Sequence, residues 1–144
     1  MKRFTYVLAA GALATGLLAA TQASATADPI SAAQLQSLIP APANAQQTFG
    51  PDDIGDNGIH LRYRVNGMPG DVMNGFKAAL QGKGWDMTTI ITGNGGGGGG
   101  ATYTGTNAGA YGVFDGGGYE NSTWIDVCAW PSQPAEPNCS RGGR

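Results

Sequence analysis

The sequence predicts an α+β domain in which one amphipathic helix packs on a roughly four-stranded, mostly antiparallel sheet (β-α-β-β-β), after a short N-terminal helix. Two patterns lead to this prediction. Apolar residues recur at the helical period across residues 69–83, and they alternate with polar residues across residues 59–65. Each segment therefore has one apolar face, and two such faces are buried by packing against each other. We expect the helix to cover one side of the sheet.

The predicted helix has a recognisable start and end. Pro69 suits the first helical position, where its missing N–H leaves no bond unmade, and Asp71 lies near the positive end of the helix dipole. Gly84 suits the left-handed residue that closes a helix, and a Schellman motif would then bring Trp85 against Leu80. The apolar stripe between these ends consists of Val72, Met73, Phe76, Ala79 and Leu80.

Two glycines, Gly75 and Gly82, lie inside the predicted helix. An interior glycine destabilises a helix by about 1 kcal/mol relative to alanine. Because small residues let a helix approach its neighbour closely, we expect this flank to lie close on the sheet. The alternative is that the two glycines only loosen the helix.

The segment before residue 59 is predicted as a short helix followed by a loop. Ser31 suits the N-cap of a helix over residues 32–39. Residues 41–58 show no periodicity and are predicted as loop. The acidic residues in this loop do not match a calcium-binding loop, because Gly55 and Arg64 stand where ligands are required. No metal site is therefore predicted.

Further strands are predicted after the helix. Threonine, isoleucine and aromatic residues mark strands at residues 85–92 and 101–107, and a hairpin that joins residues 110–115 to 123–130. Residues 93–100 are nearly all glycine and are predicted as a flexible loop. They match the G-x-G-x-x-G pattern only trivially, because the Lys-Ser/Thr pair of a phosphate loop and the helix after it are missing. No cofactor is predicted.

Residues 1–27 have the three parts of a secretory signal peptide. Lys2 and Arg3 precede an apolar run rich in Leu and Ala, and small-residue cleavage sites end at Ala25 and Ala27. We predict cleavage after Ala27, with Ala25 as the alternative. The apolar run is shorter than the roughly 20 residues that a membrane span needs, so no stable span is expected after cleavage. The predicted location is the extracellular space or the cell envelope.

Cleavage would leave residues 28–144 as one small domain. The eight basic residues of the full chain fall to six against ten acidic ones, so the formal net charge becomes −4. Nucleic-acid binding through bulk charge is therefore not expected. Cys128 and Cys139 are the two cysteines of the chain, and they predict a disulfide that ties a Pro-rich C-terminal tail to the last strand. Metal ligation by this pair, or a reactive thiol, is the less favoured alternative.

The sheet face away from the helix carries the candidate ligand residues. His60, Arg62 and Arg64 alternate toward that face from one strand, and Trp124 and Asp126 are expected to share it from the last strand. A His beside a carboxylate can act as a general base, and two Arg residues can hold a carboxylate or a phosphate. The simpler alternative is a solvated face with cross-strand ion pairs.

Aromatic residues set among glycines form a second candidate. Flat side chains on a sheet can stack on sugar rings or on an apolar partner, and nearby glycines let a ligand come close. The alternative, which we favour, is that these residues fill the core. The set consists of Tyr103, Tyr111, Tyr119, Trp124 and Trp130, of which Trp130 is also expected on the face of His60.

The signal peptide, the Asp28-Pro29 start and the helix end formed by Leu80 and Gly84-Trp85 before a Gly-rich strand region carry a resemblance. In these features the chain resembles uncharacterised small secreted proteins of mycobacteria and related actinobacteria. The resemblance implies the cell envelope or the culture fluid as the location. It brings no catalytic motif, and no functional residue is carried over from it.

Together these observations lead us to expect an exported, non-catalytic interaction module. We expect it to bind an envelope component or another protein through the face that carries His60, Arg62 and Arg64. One alternative is a small secreted hydrolase-like enzyme that uses His60 and Asp126. Another is a purely structural accessory domain. No catalytic residue is assigned, because neither a nucleophile elbow nor a second His accompanies His60.

Overall fold

The computed structural model describes residues 28–95 and 98–139. The predicted signal peptide at residues 1–27 and the last five residues lie outside this part of the chain. The described residues form two helices and six strands. The helices are α1 (Ala32–Ser37) and α2 (Pro69–Gly82), and the strands are β1 (Ala45–Ile54), β2 (Gly58–Asn66), β3 (Asp86–Gly95), β4 (Gly98–Asn107), β5 (Ala110–Tyr119) and β6 (Ser122–Trp130).

All six strands join one open antiparallel sheet in the order β1-β2-β6-β5-β4-β3. The chain forms the β1–β2 hairpin, passes through α2, and then builds β3 to β6 as a meander that ends against β2. Helix α2 packs on β3, β4, β5 and β6. The predicted α+β class with antiparallel strands is confirmed, but the sheet has six strands rather than roughly four.

Strand β1 occupies part of the segment predicted as loop, and that prediction is wrong. Its side chains are almost all exposed because it lies at the edge of the sheet, so no alternation of apolar and polar residues marks it. Its ladder with β2 is irregular between Ala45 and Gln47 and between Phe49 and Asp52, and it contains Pro51. An edge strand tolerates these features because only one of its two sides is paired.

The glycine tract that we predict as a flexible loop is strand on both sides of its centre. Strand β3 runs to Gly95 and β4 starts at Gly98, and Gly100 lies opposite Gly117 of β5. A Cβ atom added to Gly100 would collide with the backbone carbonyl of Gly116. Glycine therefore allows close backbone packing here, which composition alone does not distinguish from flexibility.

The hairpin of β5 and β6 is confirmed, but its turn is shorter than predicted. We predict a turn over residues 116–122. In the structure β5 extends to Tyr119 and β6 begins at Ser122, so only Glu120 and Asn121 connect them. Glu120 has a positive φ of 53°, as the first residue of a two-residue hairpin turn commonly does.

Helix α2 ends in the predicted Schellman motif. Lys83 is its C-cap, and Gly84 has a φ of +97°. The N–H of Trp85 donates to the carbonyl of Leu80 at 3.1 Å, and the N–H of Gly84 donates to the carbonyl of Gln81 at 3.0 Å. These two bonds define the motif, and they turn the chain directly from the helix into β3.

Helix α1 is confirmed in a shorter form, with six residues. Ser31 and Gln34 form a capping box, in which the N–H of Gln34 donates to Ser31 Oγ at 3.2 Å and the N–H of Ser31 donates to Gln34 Oε1 at 2.8 Å. Leu35 is fully buried. Trp85 Nε1 donates to the carbonyl of Leu38 at 2.8 Å, so the residue that ends α2 also anchors the chain just after α1.

The hydrophobic core lies between α2 and the sheet. The predicted apolar stripe is confirmed, since Met73, Phe76 and Leu80 are buried. The ring of Phe76 lies 6.4 Å from that of Tyr63 and 6.1 Å from that of Phe114, an edge or tilted packing that favours aromatic pairs. The sheet contributes alternate residues to this core: Ile59, Leu61, Tyr63, Val65, Ala101, Tyr103, Ala110, Phe114, Ile125, Val127 and Ala129.

The close approach of helix and sheet comes from glycines in the strands. A Cβ atom at Gly75 or Gly82 of α2 would meet nothing within 4 Å, so our prediction that these glycines let the helix lie close is wrong. On β5, by contrast, a Cβ atom at Gly116 would collide with Sδ of Met73. The sheet therefore provides the space, and the large side chains of the helix fill it.

The predicted disulfide is present between Cys128 of β6 and Cys139, with a Cα–Cα distance of 5.6 Å. It brings residues 131–139 back to the sheet face opposite α2. There Cys128, Val113 and Trp130 form a second, small buried cluster. On the chain-entropy model a bridge across 11 residues stabilises the fold by about 3 kcal/mol.

Neither helix in the described ranges, 28–95 and 98–139, is long and apolar enough to cross a membrane. Helix α2 has 14 residues, whereas a span takes about 20.

Replacing Gly75 by Ala should raise the free energy of unfolding by about 1 kcal/mol, because the added methyl meets open space and alanine has the higher helix propensity. Gly112→Ala provides the matched control, because its Cβ would lie 2.6 Å from Phe114 Cζ and 2.9 Å from Trp85 Cζ3. We expect that variant to lose roughly 1–3 kcal/mol. Urea denaturation measures both changes, and a destabilised Gly75→Ala variant would contradict the exposed position of this glycine.

Burial raises the pKa of Tyr63 and of Tyr103 above the ordinary value of 10.0, because desolvation disfavours the phenolate. Below about pH 10, both phenols are protonated in the folded and in the unfolded chain, so their full contribution to stability is present. As the pH rises above about 10, the unfolded chain loses these protons first, and stability falls until the folded-state pKa values are passed.

The double variant Tyr63→Phe/Tyr103→Phe should therefore lose less stability than the wild type between about pH 10 and 11. Urea titrations at several pH values give the slopes. Equal slopes for the wild type and the double variant would show that these phenols do not carry the effect.

Candidate functional site

The register of β2 against β6 decides which side chains meet on the open face, which we define as the sheet face opposite α2. Arg62 lies directly opposite Asp126, and Arg64 lies opposite Trp124. His60 is the next residue of β2 on the same face. The structure thus brings His60, Arg62, Arg64, Trp124 and Asp126 together on the predicted face, and Trp130 lies farther along β6 on the same face. Their neighbours in each strand enter the core.

Asp126 is the buried centre of this group, with a side chain that is 1% exposed. His60 Nε2 lies 2.8 Å from Asp126 Oδ1, and its N–H donates to the carboxylate. Arg62 Nε lies 3.9 Å from the same oxygen, close enough for charge attraction but too far for a hydrogen bond. A buried carboxylate is costly unless it is paired, so these two side chains stabilise its charge.

Trp124 positions the two arginines. The Cζ atoms of Arg62 and Arg64 lie 4.6 Å and 6.0 Å from the centre of its ring, distances at which a cation is attracted to the indole. Phe49 stacks beside the same ring, with centroids 6.2 Å apart and an interplanar angle of 29°. The Nε atom of Arg62 is buried and has no hydrogen-bond partner in the described part of the chain. Arg62 is therefore held by its ring contact more than by Asp126.

Two shallow grooves flank the contact between Arg62 and Trp124, and both residues line each of them. The first, which we call the Phe49 groove, has a volume of about 380 Å³. The second, the glycine groove, has a volume of about 620 Å³. The Phe49 groove is lined by Phe49, Asp52, His60, Arg62 and Trp124, and the glycine groove by Arg62, Gly99, Gly117, Gly118, Tyr119, Trp124 and Asp126.

The open face carries charges of both signs. Asp115 of β5 lies directly opposite Asp126, and Thr102 Oγ1 donates to Asp115 Oδ1 at 2.8 Å. Asp52 of β1 lies opposite His60 and is exposed. These carboxylates limit the net positive charge of the face, so an anionic ligand would be recognised by particular arginine contacts rather than by a broad positive field.

Phe49, Asp52 and Asp115 lie on this face and were not assigned to it from the sequence. Phe49 and Asp52 were not found because their strand was predicted as loop, and no periodicity in that segment would have revealed them. Asp115 lies in a predicted strand, and the period-2 pattern that places Val113 and Asp115 on one side of β5 would have found it.

The aromatic residues of the second candidate divide between the core and the open face. Tyr103 is 1% exposed and lies in the core beneath α2, as the core-filling alternative predicts, whereas Trp130, 3% exposed, is buried on the open face in the small cluster with Cys128. Tyr111 and Trp124 are half-buried, and Tyr119 is exposed. Only Trp124 and Tyr119 line the glycine groove, so any stacking on a ligand there depends on these two.

The described residues contain no group of three or more His, Cys, Asp or Glu side chains that could hold a metal ion. The chemistry available on the open face therefore consists of one imidazole held by a carboxylate, two guanidinium groups and exposed aromatic rings. No protein-family model matches the chain, and neither a curated protein nor a solved structure matches it. A function must therefore be argued from the geometry of this face.

Replacing Asp126 by Asn should lower the free energy of unfolding by roughly 2 kcal/mol, because the hydrogen bond from His60 loses its charged acceptor and Arg62 loses its counter-ion. Asp52→Asn provides a matched control, since this carboxylate is exposed on the neighbouring strand and its loss should change stability by no more than about 0.5 kcal/mol. Urea denaturation at neutral pH compares the two. Equal stability of the Asp126→Asn variant and the wild type would contradict a charged Asp126 at this position.

Proposed function

We propose that the chain is an exported, non-catalytic interaction module. Its open face would bind an acidic group that is attached to a ring or to apolar surface, carried by an envelope component or by another protein. The observation that carries this proposal is the contact of Arg62 with Trp124 at 4.6 Å, with grooves on both sides and Phe49 stacked beside it.

The composition of the face supports binding of a group with both charge and flat surface. A guanidinium held over an indole keeps its in-plane N–H donors available in a fixed direction, and such donors match a carboxylate or a phosphate. Phe49 and Tyr119 are 47% and 60% exposed, one on each side of Trp124. Small-molecule sites commonly combine aromatic surface with a few placed polar groups in this way.

An exported location is the part of the proposal that rests on residues 1–27. The N-terminal pattern is that of a signal peptide, and the disulfide Cys128–Cys139 is compatible with an oxidising compartment outside the cell. The resemblance to small secreted actinobacterial proteins agrees with this location. Detection of the processed chain, starting at residue 28, in culture fluid or envelope fractions would test it directly.

The alternative, a small hydrolase-like enzyme, is favoured by one specific observation. Asp126 holds His60 at 2.8 Å, which is how a carboxylate orients a histidine that acts as a general base. Against it, both grooves are open and shallow, and neither is lined by a Ser, Thr or Lys side chain or by a free Cys. A general base without a nucleophile beside it and without an enclosed site supports binding better than catalysis.

A pair of small probes tests the binding proposal. Glucuronic acid and glucose share one ring, and only the first carries a carboxylate. We expect glucuronic acid to shift the indole NMR signal of Trp124 with a Kd on the order of millimolar, and glucose to bind about tenfold more weakly. The Arg62→Ala/Arg64→Ala variant should lose this preference, because the donors for the carboxylate are gone.

Lys83→Ala supplies the control for net charge, since Lys83 is an exposed cation at the end of α2. It should bind both probes as the wild type does. Equal binding of the two probes by the wild type, or an unchanged preference in the double arginine variant, would refute recognition of an acidic group by this face. Turnover of a hydrolase substrate that His60→Ala abolishes would instead favour the enzyme.

A further inference from the structure

The disulfide Cys128–Cys139 lies beside the one histidine of the chain. His60 of β2 is directly opposite Cys128 of β6 in the ladder, and residues paired in this way have Cβ atoms about 4.5–5.5 Å apart. Both side chains line one shallow cavity on the open face, with a volume of about 330 Å³. The register of β2 against β6 therefore places an imidazole next to a sulfur atom of the disulfide.

Asp126 holds this imidazole in place. His60 Nε2 lies 2.8 Å from Asp126 Oδ1. Arg62 Nε lies 3.9 Å from the same oxygen, so a cation offsets the negative charge of the carboxylate. A histidine that is oriented in this way can donate a proton to a departing group, and a protonated imidazole stabilises a thiolate beside it. His60 is thus arranged to act on the neighbouring sulfur.

The other groups around the histidine and the disulfide leave this effect intact. Val113 of β5, which lies opposite Cys128, is apolar. Three further carboxylates lie nearby, those of Asp52 opposite the histidine and of Asp56 and Glu136 in the lining of the cavity. All three residues are exposed, so solvent and salt screen their charges.

The two sulfur atoms differ in their access to solvent. Cys128 is 3% exposed, whereas Cys139 is half-buried and lies in the tail that follows β6. In the described part of the chain, the one backbone hydrogen bond of residues 131–139 outside the strands runs from the N–H of Asn138 to the carbonyl of Glu136 and stays within the tail. Because thiol–disulfide exchange depends on which sulfur can be reached, an incoming thiol meets Cys139 first.

We propose that Cys128–Cys139 is a thiol-exchange site, at which a low-molecular-weight thiol attacks Cys139 and His60 assists the departure of Cys128. The incoming thiolate forms a bond to Cys139 Sγ, the bond between the two cysteines breaks, and its electron pair goes to Cys128 Sγ. His60 stabilises or protonates this sulfur. A second molecule of thiol then attacks the mixed disulfide, which releases Cys139 as a thiolate and oxidises the small thiol to its own disulfide.

This exchange would change the surface of the open face. The tail is tied to β6 by the disulfide, and its residues Glu136 and Asn138 form one wall of the cavity. Opening the disulfide frees that wall and uncovers the small cluster that contains Cys128 and Trp130. The site is therefore one of reversible covalent modification. This inference does not rest on the proposed ligand.

The rate of reduction by excess β-mercaptoethanol tests the proposal on the purified, oxidised protein. Samples are quenched with acid, and mass spectrometry follows the loss of the disulfide. We expect the folded protein to react about tenfold faster than the same chain unfolded in urea, where the histidine no longer faces the disulfide. A folded protein that reacts no faster than the unfolded chain has an inert structural disulfide, and that result would overturn the proposal.

His60→Ala should slow the reaction of the folded protein by about tenfold, because Cys128 then departs without assistance. A merely structural role of the histidine predicts the opposite, since a destabilised fold opens more often and exposes the disulfide. Gly112→Ala is the matched control, because we expect it to be destabilised while it retains the histidine. It should react as fast as the wild type or faster. An unchanged or faster reaction in His60→Ala would refute assistance by the histidine.

Two further measurements test the two sulfur atoms separately. Peptide mapping of the acid-trapped mixed disulfide should find the β-mercaptoethanol adduct on Cys139, and an adduct on Cys128 would contradict the proposed direction of attack. Cys139→Ser leaves Cys128 as a free thiol, which iodoacetamide should alkylate at neutral pH about tenfold faster than in Cys139→Ser/His60→Ala. Equal alkylation rates would show that the histidine does not act on this sulfur. Neither measurement involves a ligand, so the results are independent of the ligand tests.

Discussion

The pairing of β2 with β6 is the constraint on which the rest of the molecule depends. It joins the N-terminal hairpin to the C-terminal meander, and it does so in a continuous register from Ile59 opposite Ala129 to Asn66 opposite Ser122. Because side chains alternate along both strands, this one register sends Leu61, Tyr63 and their partners toward α2. A shift by a single residue would exchange the core face for the open face.

The same register assembles the polar group of the open face. Asp126 is buried because β2 and β5 lie on either side of β6, and His60 and Arg62 reach its carboxylate from β2. Trp124, two residues along β6, receives the arginines and the ring of Phe49. The register of β2 against β6 thus positions both the core residues and the candidate site. A substitution that shifts this register will disturb both.

How much of this was predictable depends on which face of each element carries a signal. Helix α2 and β2 are half-buried, so their periodicity predicted their positions, their ends and the side chains that reach the open face. Strand β1 is exposed along nearly its whole length, and an element without a buried face leaves no periodic pattern. Phe49, which lies on this strand, was therefore not identified as a residue of the open face. The burial of Asp126 depends on the strand order, which is a property of the whole sheet and not of any local segment.

Glycine was the most misleading residue type, because its role also depends on the whole sheet and not on the local segment. The glycines of α2 suggested close packing of the helix on the sheet, yet Gly75 faces open space. The abundance of glycine around Gly100 suggested a loop, yet two strands pair there. Whether a missing Cβ matters depends on what lies across from it, as Met73 lies across from Gly116. The sequence shows where glycines occur but not what they face.

The distance along the chain between β2 and β6 also has a consequence for the order in which the molecule forms. Strands β3 to β6 pair with sequence neighbours, and such local ladders form with little loop-closure cost, whereas β2 must wait for the last strand of the chain. Until β6 has formed, one edge of β2 therefore has no strand to pair with. An unpaired strand edge of this kind favours aggregation, and the pairing of β6 with β2 removes it.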